Sequence, residues 1–167
     1  MTCNLHALSI LQKVARNLTS MSAIKIGTHN GAFHCDEVLA CSMLKMLPQY
    51  KDATIIRSRD PEILKGCDIV ADVGGIFDPK THRYDHHQKT FTDSMNSLNK
   101  GKWVTKLSSA GLIYAHFGKD VIAQIINSKD ETLIQKIYDK VYERFVEEID
   151  AIDNGIPTHD GTPRYQG

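Results

Sequence analysis

Three short apolar runs, AIKIGTH (23–29), ATIIRS (53–58) and CDIVADVGG (67–75), are separated by segments of helical character. This alternation constrains the fold more than any other feature of the chain. Short apolar runs that end in polar or glycine residues read as strands. Between the first two, the apolar positions from Cys35 to Leu47 fit a helix stopped by Pro48, and Asp60-Pro61 opens a short helical turn before the third. IFDP and HRYDH read as a small hairpin around Pro79-Lys80. The polar run from Thr92 to Lys102 reads as a loop. Lys106 to Phe117 is predicted helical, ending near Gly118, with Val121 to Ile126 a further helical piece. Glu131 to Ile152 is predicted as one long amphipathic helix, its buried face formed by Ile134, Ile137, Tyr138, Val141, Phe145, Ile149 and Ile152. Strands alternating with helices predict an α/β fold, a mostly parallel sheet flanked by helices.

With 167 residues, the chain suits one domain with a proper core. Twenty basic and 20 acidic side chains cancel, so net charge gives no whole-chain argument for nucleic acid. No apolar run approaches the roughly 20 residues of a membrane helix, so no membrane partner is expected. The four cysteines lack CxxC spacing, which argues against a disulfide framework or thiolate zinc site and fits a reducing compartment.

Residues 1–21 differ from the rest. They carry Lys13 and Arg16 but no acid, and Leu5, Leu8, Leu11, Ala15 and Leu18 define one helical face. This is the pattern of a mitochondrial presequence, against the simpler reading of a frayed extension. The expected location is the mitochondrial matrix, and an internal start at Met21 would give a nuclear or cytosolic form. Residues 22–167 form the expected domain.

In open α/β sheets, ligands bind beyond the carboxyl ends of the strands. His29, Asp72 and Asp85 to His87 fall at those ends. In THNGAFHCDE, Gly31 permits a turn that folds His29 back toward His34 and Asp36. Helix capping accounts for Asp36 or Glu37 but leaves both histidines unexplained. Asp72 follows an apolar strand, where a carboxylate is either paired with a cation or solvated in a turn. In RYDHHQ, strand geometry would point His86 and His87 to opposite faces. Asp85 could then hold the N–H of a ligating imidazole, with the other imidazole toward substrate; the alternative is a hydrated turn. In EEIDAIDNGIP, Asp150 and Asp153 share a helical face near a C-terminus, where acids oppose the macrodipole. A nearby cation would offset that cost, and a plain solvated face is the alternative. Asp and His donors without cysteine suit Mn²⁺, Mg²⁺ or Co²⁺, and there are enough for two ions. Arg57, Arg59, Arg83 and Lys89 are candidates for phosphate oxygens or ordinary surface charges.

The ordered motifs THNGAFHCDE, ADVGG, YDHHQ and AIDNGI resemble the four motifs of the DHH phosphoesterases. More narrowly they resemble the melanocyte-proliferating-gene-one family, from about Ile24 to the end. The resemblance implies a metal-dependent 3′→5′ RNA exonuclease of mitochondria and nucleus acting on single-stranded RNA. It implies one metal on His29, His34 and Asp72, and a second on Asp36, Asp72, His86 and Asp153, with Asp72 bridging. Asp150 is the alternate for the fourth motif. His87 would face the scissile phosphate and Asp85 would support the ligands. His34 departs from the superfamily pattern, where an aspartate usually stands. The superfamily's second domain is expected to be missing, which implies weak or absent turnover and self-association through exposed apolar surface. Two other functions fit the same residues: a small-substrate phosphatase or pyrophosphatase, and a non-catalytic metal-binding remnant.

Overall fold

A computed structural model describes residues 23–157 and 161; the segment read as a presequence lies outside them. The chain order is β1 (Lys25–Thr28), α1 (Cys35–Lys45), β2 (Thr54–Arg57), α2 (Pro61–Lys65), β3 (Ile69–Ala71), β4 (Phe77–Asp78), β5 (Arg83–Tyr84), α3 (Met95–Asn99), α4 (Ser109–Ile126), α5 (Glu131–Val141), a π-helical segment (Tyr142–Val146) and α6 (Glu147–Asp153). The sheet order is β2-β1-β3-β5-β4. All neighbours are parallel except the β4–β5 hairpin. This is the α/β architecture the alternation predicts.

Each parallel strand alternates its faces. Ile26, Ile69, Ala71 and Tyr84 join the main core, beneath α1, α4, α5 and α6. Val70 packs on the opposite face with Leu64 and Cys67 beside α2. A Cβ on Gly27 would sit 3.0 Å from Cys67 Sγ, so its bare backbone lets α2 approach the sheet. Asp60 caps α2 by accepting the Glu62 N–H, with Pro61 at the first helical position.

The helical layer departs from the sequence expectation in three places. The run 92–102 is not all loop: Ser94 accepts the Ser97 N–H to cap α3, and Met95 is buried in the core. Gly118 does not end a helix, because α4 runs through it for 18 residues. A Cβ there would lie 2.9 Å from the rings of Tyr114 and Tyr138, so the glycine serves α4–α5 packing rather than termination. The expected single helix over 131–152 is interrupted by the π segment. Its extra residue shifts the buried stripe: Tyr142, Val146 and Ile149 face inward, while Phe145 and Ile152 are exposed. A 3.6-residue period carried across that segment selects Ile149 correctly but also the exposed Phe145 and Ile152, and it passes over Tyr142 and Val146.

Candidate metal centre

Four chain segments deliver their polar residues to one rim of the sheet. β1 ends at Thr28 and hands over to His29. The turn through Gly31, whose φ is +97°, leads to His34, and α1 then presents Asp36 and Glu37 in its first turn. β3 ends at Ala71, and Asp72 adopts a left-handed backbone with φ +61°. Aspartate tolerates that region better than most residues, but a left-handed residue at a strand end is uncommon. β5 leads into Asp85, His86 and His87, and α6 supplies Asp153.

Asp72 is the hub. Its Oδ2 lies 3.3 Å from His29 Nε2, and its Oδ1 lies 3.5 Å from His86 Nε2 and 3.7 Å from His87 Nδ1. Ser109 Oγ, at the start of α4, donates to the same Oδ1 at 3.3 Å. His86 Nε2 is also 3.1 Å from Asp153 Oδ2, and the His29 and His34 rings are 5.1 Å apart. Among the described residues, four overlapping sets bring ligand atoms within 4.8 Å of one another: Asp72 with Asp85, His86 and His87; His29 with His34 and Asp72; His34 with Asp36 and Asp153; and Asp36 with Glu37 and Asp72. These clusters could hold a metal ion.

Both carboxylate oxygens of Asp36 are buried without a hydrogen-bond partner, as are both ring nitrogens of His86 and Nε2 of His29, whose Nε2 atoms make only charge contacts with Asp72, Glu37 and Asp153. Buried polar atoms are nearly always satisfied, and leaving one unpaired is costly. His29 Nδ1 lies 3.0 Å from the Asn30 carbonyl. A carbonyl only accepts, so Nδ1 carries a proton there, and Nε2, facing Asp72, is the ring nitrogen placed to ligate. Burial, then the negative Asp72 and Asp153 carboxylates, push the Asp36 carboxyl up to about 8. Burial pulls the His86 imidazole down, but Asp153 and Asp72 outweigh it and raise the group to about 9. Burial would raise Asp153, but its pairing with His86 prevails and holds it below the usual carboxylate range. The metal-free cluster thus meets its excess negative charge by holding protons. A divalent cation answers the same need, and oxygen and imidazole donors are the set that Mn²⁺, Mg²⁺ or Co²⁺ accepts.

His86 and His87 do not point to opposite faces. Their ring centroids lie 4.3 Å apart, because β5 ends at Tyr84 and strand alternation does not reach them. Asp85 holds the exposed imidazole of His87, not that of buried His86: Oδ1 lies 2.6 Å from His87 Nδ1 and accepts the His87 backbone N–H, while Oδ2 accepts the Gly75 N–H at 2.5 Å. With Nδ1 donating to a carboxylate, the free nitrogen of His87 is Nε2.

Asp150 stands apart from the cluster. It is fully buried, and it accepts the Ser108 N–H and Oγ–H, the Gly111 N–H and the Tyr142 O–H at 2.7–3.1 Å. Burial raises its carboxyl to about 6 against those hydrogen bonds, the Ser108 hydroxyl foremost. Two further residues belong to the site in roles other than those the sequence suggested, which were helix capping for Glu37 and a phosphate contact for Arg57. Glu37 is buried, accepts the His34 N–H at 2.7 Å and lies 3.8 Å from His29 Nε2. Arg57 pairs with Glu37 Oε1 at 3.3 Å. Glu37 stands three residues after the N-cap His34, the capping-box position, and that explains it too readily for the motif to mark it as part of the site. Arg83, by contrast, donates to the carbonyls of Cys67, Thr81 and His82.

Fold and site together define an α/β domain whose strand ends carry a carboxylate–imidazole centre able to hold a metal. The chain belongs to the MYG1 exonuclease family, described as an uncharacterised protein family (UPF0160), whose profile it matches over residues 25–167. It is 60% identical over 148 residues to the human MYG1 exonuclease, covering 87% of this chain and 39% of that protein. A MYG1 protein of Caenorhabditis elegans is 59% identical over 141 residues, 84% of this chain and 42% of its own. A Saccharomyces cerevisiae MYG1 protein is 47% identical over 140 residues, 83% and 40% respectively. The chain therefore spans about two-fifths of the length of these relatives. No solved structure matches it significantly.

Proposed function

We propose that this chain carries the metal centre of a phosphodiesterase that removes nucleotides from RNA in the 3′→5′ direction. The observation behind this reading is the set of buried, unpartnered ligand atoms around Asp72: the oxygens of Asp36, the nitrogens of His86 and Nε2 of His29. The relatives named MYG1 exonuclease support the nuclease class. His29, His34 and Asp72 would hold one ion, and Asp36, Asp72, His86 and Asp153 a second. Asp153 is preferred to Asp150 because Asp150 already spends its oxygens on four hydrogen bonds, whereas Asp153 faces His86. Ions held by these residues would polarise a phosphoryl oxygen and lower the pKa of bound water.

The chain's own contribution is placement and proton handling. Asp85 fixes His87 with Nδ1 as donor, leaving Nε2 of an exposed ring to exchange a proton with the departing oxygen or attacking water. Arg57 and Glu37 steady the turn that carries His29 and His34. The N-terminal pattern supports delivery to the mitochondrial matrix, to be tested by importing the full chain beside a Met21-start form; equal delivery of both would defeat that part.

The activity is tested with 3′- and 5′-labelled RNA and Mn²⁺, on the wild type and His86→Ala, beside a pyrophosphate hydrolysis assay. Even a faint ladder receding from the 3′ end, lost in the variant, would carry the reading, since turnover by this chain is expected to be weak. Phosphate release from pyrophosphate without RNA decay would assign a small-phosphate substrate instead. Tight metal binding with no turnover on either would leave a non-catalytic metal-binding domain.

A further inference from the structure

Phe33 is 71% exposed, yet it immediately precedes the candidate ligand His34. Its ring has a partner. The Arg57 guanidinium lies 4.0 Å from its centroid, and Arg57 is itself anchored by buried Glu37 and lies 3.5 Å from the carbonyls of Gly31 and Ala32. Ring, guanidinium and turn thus already touch one another without a ligand, an arrangement that lowers the ordering cost of binding.

Beside this pair lies a cavity of about 360 Å³ lined by Phe33, Glu37, Val38, Ser42, Ile55 and Arg57, among others. Val38 and Ile55 are also exposed apolar residues, 43% and 41%. Three solvent-facing apolar side chains therefore share one concavity that has an arginine at its edge. The link to the metal centre is short: Glu37 Oε1 is 3.3 Å from Arg57 Nη1 and 3.8 Å from His29 Nε2. A group bound in the cavity would be one residue removed from the candidate ligands.

We infer that this cavity is a nucleobase subsite, in which Phe33, held by Arg57, stacks the base of the nucleotide whose phosphate lies at the Asp72 centre. The inference rests on the phosphodiesterase reading and adds to it how a base is held. A flat ring with apolar faces and polar edges suits an aromatic wall with apolar neighbours and a guanidinium. Stacking of this kind tolerates any base. Phe33 is then a substrate-contacting residue set by the same turn that places His29 and His34.

The test compares the binding of adenosine 5′-monophosphate and ribose 5-phosphate to the full 167-residue chain with Mn²⁺, by calorimetry or NMR titration. The wild type should favour the nucleotide by about tenfold or more. Phe33→Ala and Phe33→Leu should bring the two affinities within about threefold while ribose 5-phosphate affinity holds, and Phe33→Trp should keep the preference. Because the ring is exposed, these variants should fold as the wild type does, which circular dichroism verifies. Equal binding of both probes by the wild type, or a preference that survives Phe33→Ala, would overturn the subsite. Phosphate binding and RNA turnover without base preference would defeat this inference alone. A Phe33-dependent preference without hydrolysis of any phosphodiester would uphold it and defeat the nuclease reading.

Discussion

Two buried aspartates within one α6 turn of each other's surroundings solve the same problem in opposite ways. Asp150 is enclosed by donors: a hydroxyl and two backbone N–H groups from the start of α4, and the Tyr142 hydroxyl. Asp36, reached through Asp153 one helical turn further along α6, is equally buried and has no hydrogen-bond partner for either oxygen. A satisfied carboxylate holds a fold together, whereas an unsatisfied one stores a demand for charge that a ligand can meet. The two regions meet at the N-terminus of α4, where Ser108 binds Asp150 and Ser109 binds Asp72. The Asp150 latch therefore fixes the two elements, α4 and α6, that flank one side of the cluster.

Removing the latch should have the largest effect. Asp150→Ala strands two buried N–H groups and two hydroxyls, and should lower unfolding free energy by about 3–5 kcal/mol in a urea titration. A loss under 1 kcal/mol would mean that Asp150 is not structural. Asp36→Asn should act the other way round. Divalent-metal affinity should fall by about 100-fold in calorimetry, roughly 2.7 kcal/mol, while the metal-free chain keeps or gains stability because it no longer buries a titrating carboxyl. Equal metal affinity in wild type and variant would break the distinction. Gly111→Ala would drive a Cβ into the Asp150 carboxylate, and should cost about 1–3 kcal/mol with metal affinity nearly unchanged.

The smallest effect concerns pH. The folded-state pKa of Asp36 is about 8 against 3.8 in a free chain, and that of His86 about 9 against 6.5. Both groups bind protons more tightly when folded, so each stabilises the metal-free fold at low pH. The Asp36 contribution is lost as pH rises from about 4 to about 8, that of His86 between about 6.5 and 9. Thermal unfolding of metal-free protein should therefore move to lower temperature between pH 6 and 9, and added Mn²⁺ should oppose the fall. Because Asp36 holds a proton near neutrality, metal binding at pH 7 should release protons, seen as a dependence of calorimetric heat on buffer ionisation. A flat profile with no proton release would contradict the protonated, metal-free cluster.

Much of this comparison could be read before the fold was known. The apolar runs ending at His29, Asp72 and Tyr84 placed the strands, and the parallel register brings their polar successors together. The distinction between Asp150 and Asp153 was not legible, since three residues apart on a helix both share a face. Which one meets donors depends on Ser108 and Gly111, some forty positions away in sequence. The π segment is similarly silent: Tyr142 reaches Asp150 only because an extra residue turns it inward. Phe33 looks like an apolar residue in a loop until Arg57, from β2, is seen over its ring.

The central claim is that the cluster around Asp72, and not the Asp150 latch, is where a divalent ion binds. Anomalous diffraction from crystals grown with Mn²⁺ measures this directly. The account predicts scattering peaks within ligand distance of Asp72, one toward His29 and His34 and one toward Asp36, His86 and Asp153, and none at Asp150. Crystals with Mn²⁺ bound at Asp150, or with no peak near Asp72 at saturating metal, would contradict it.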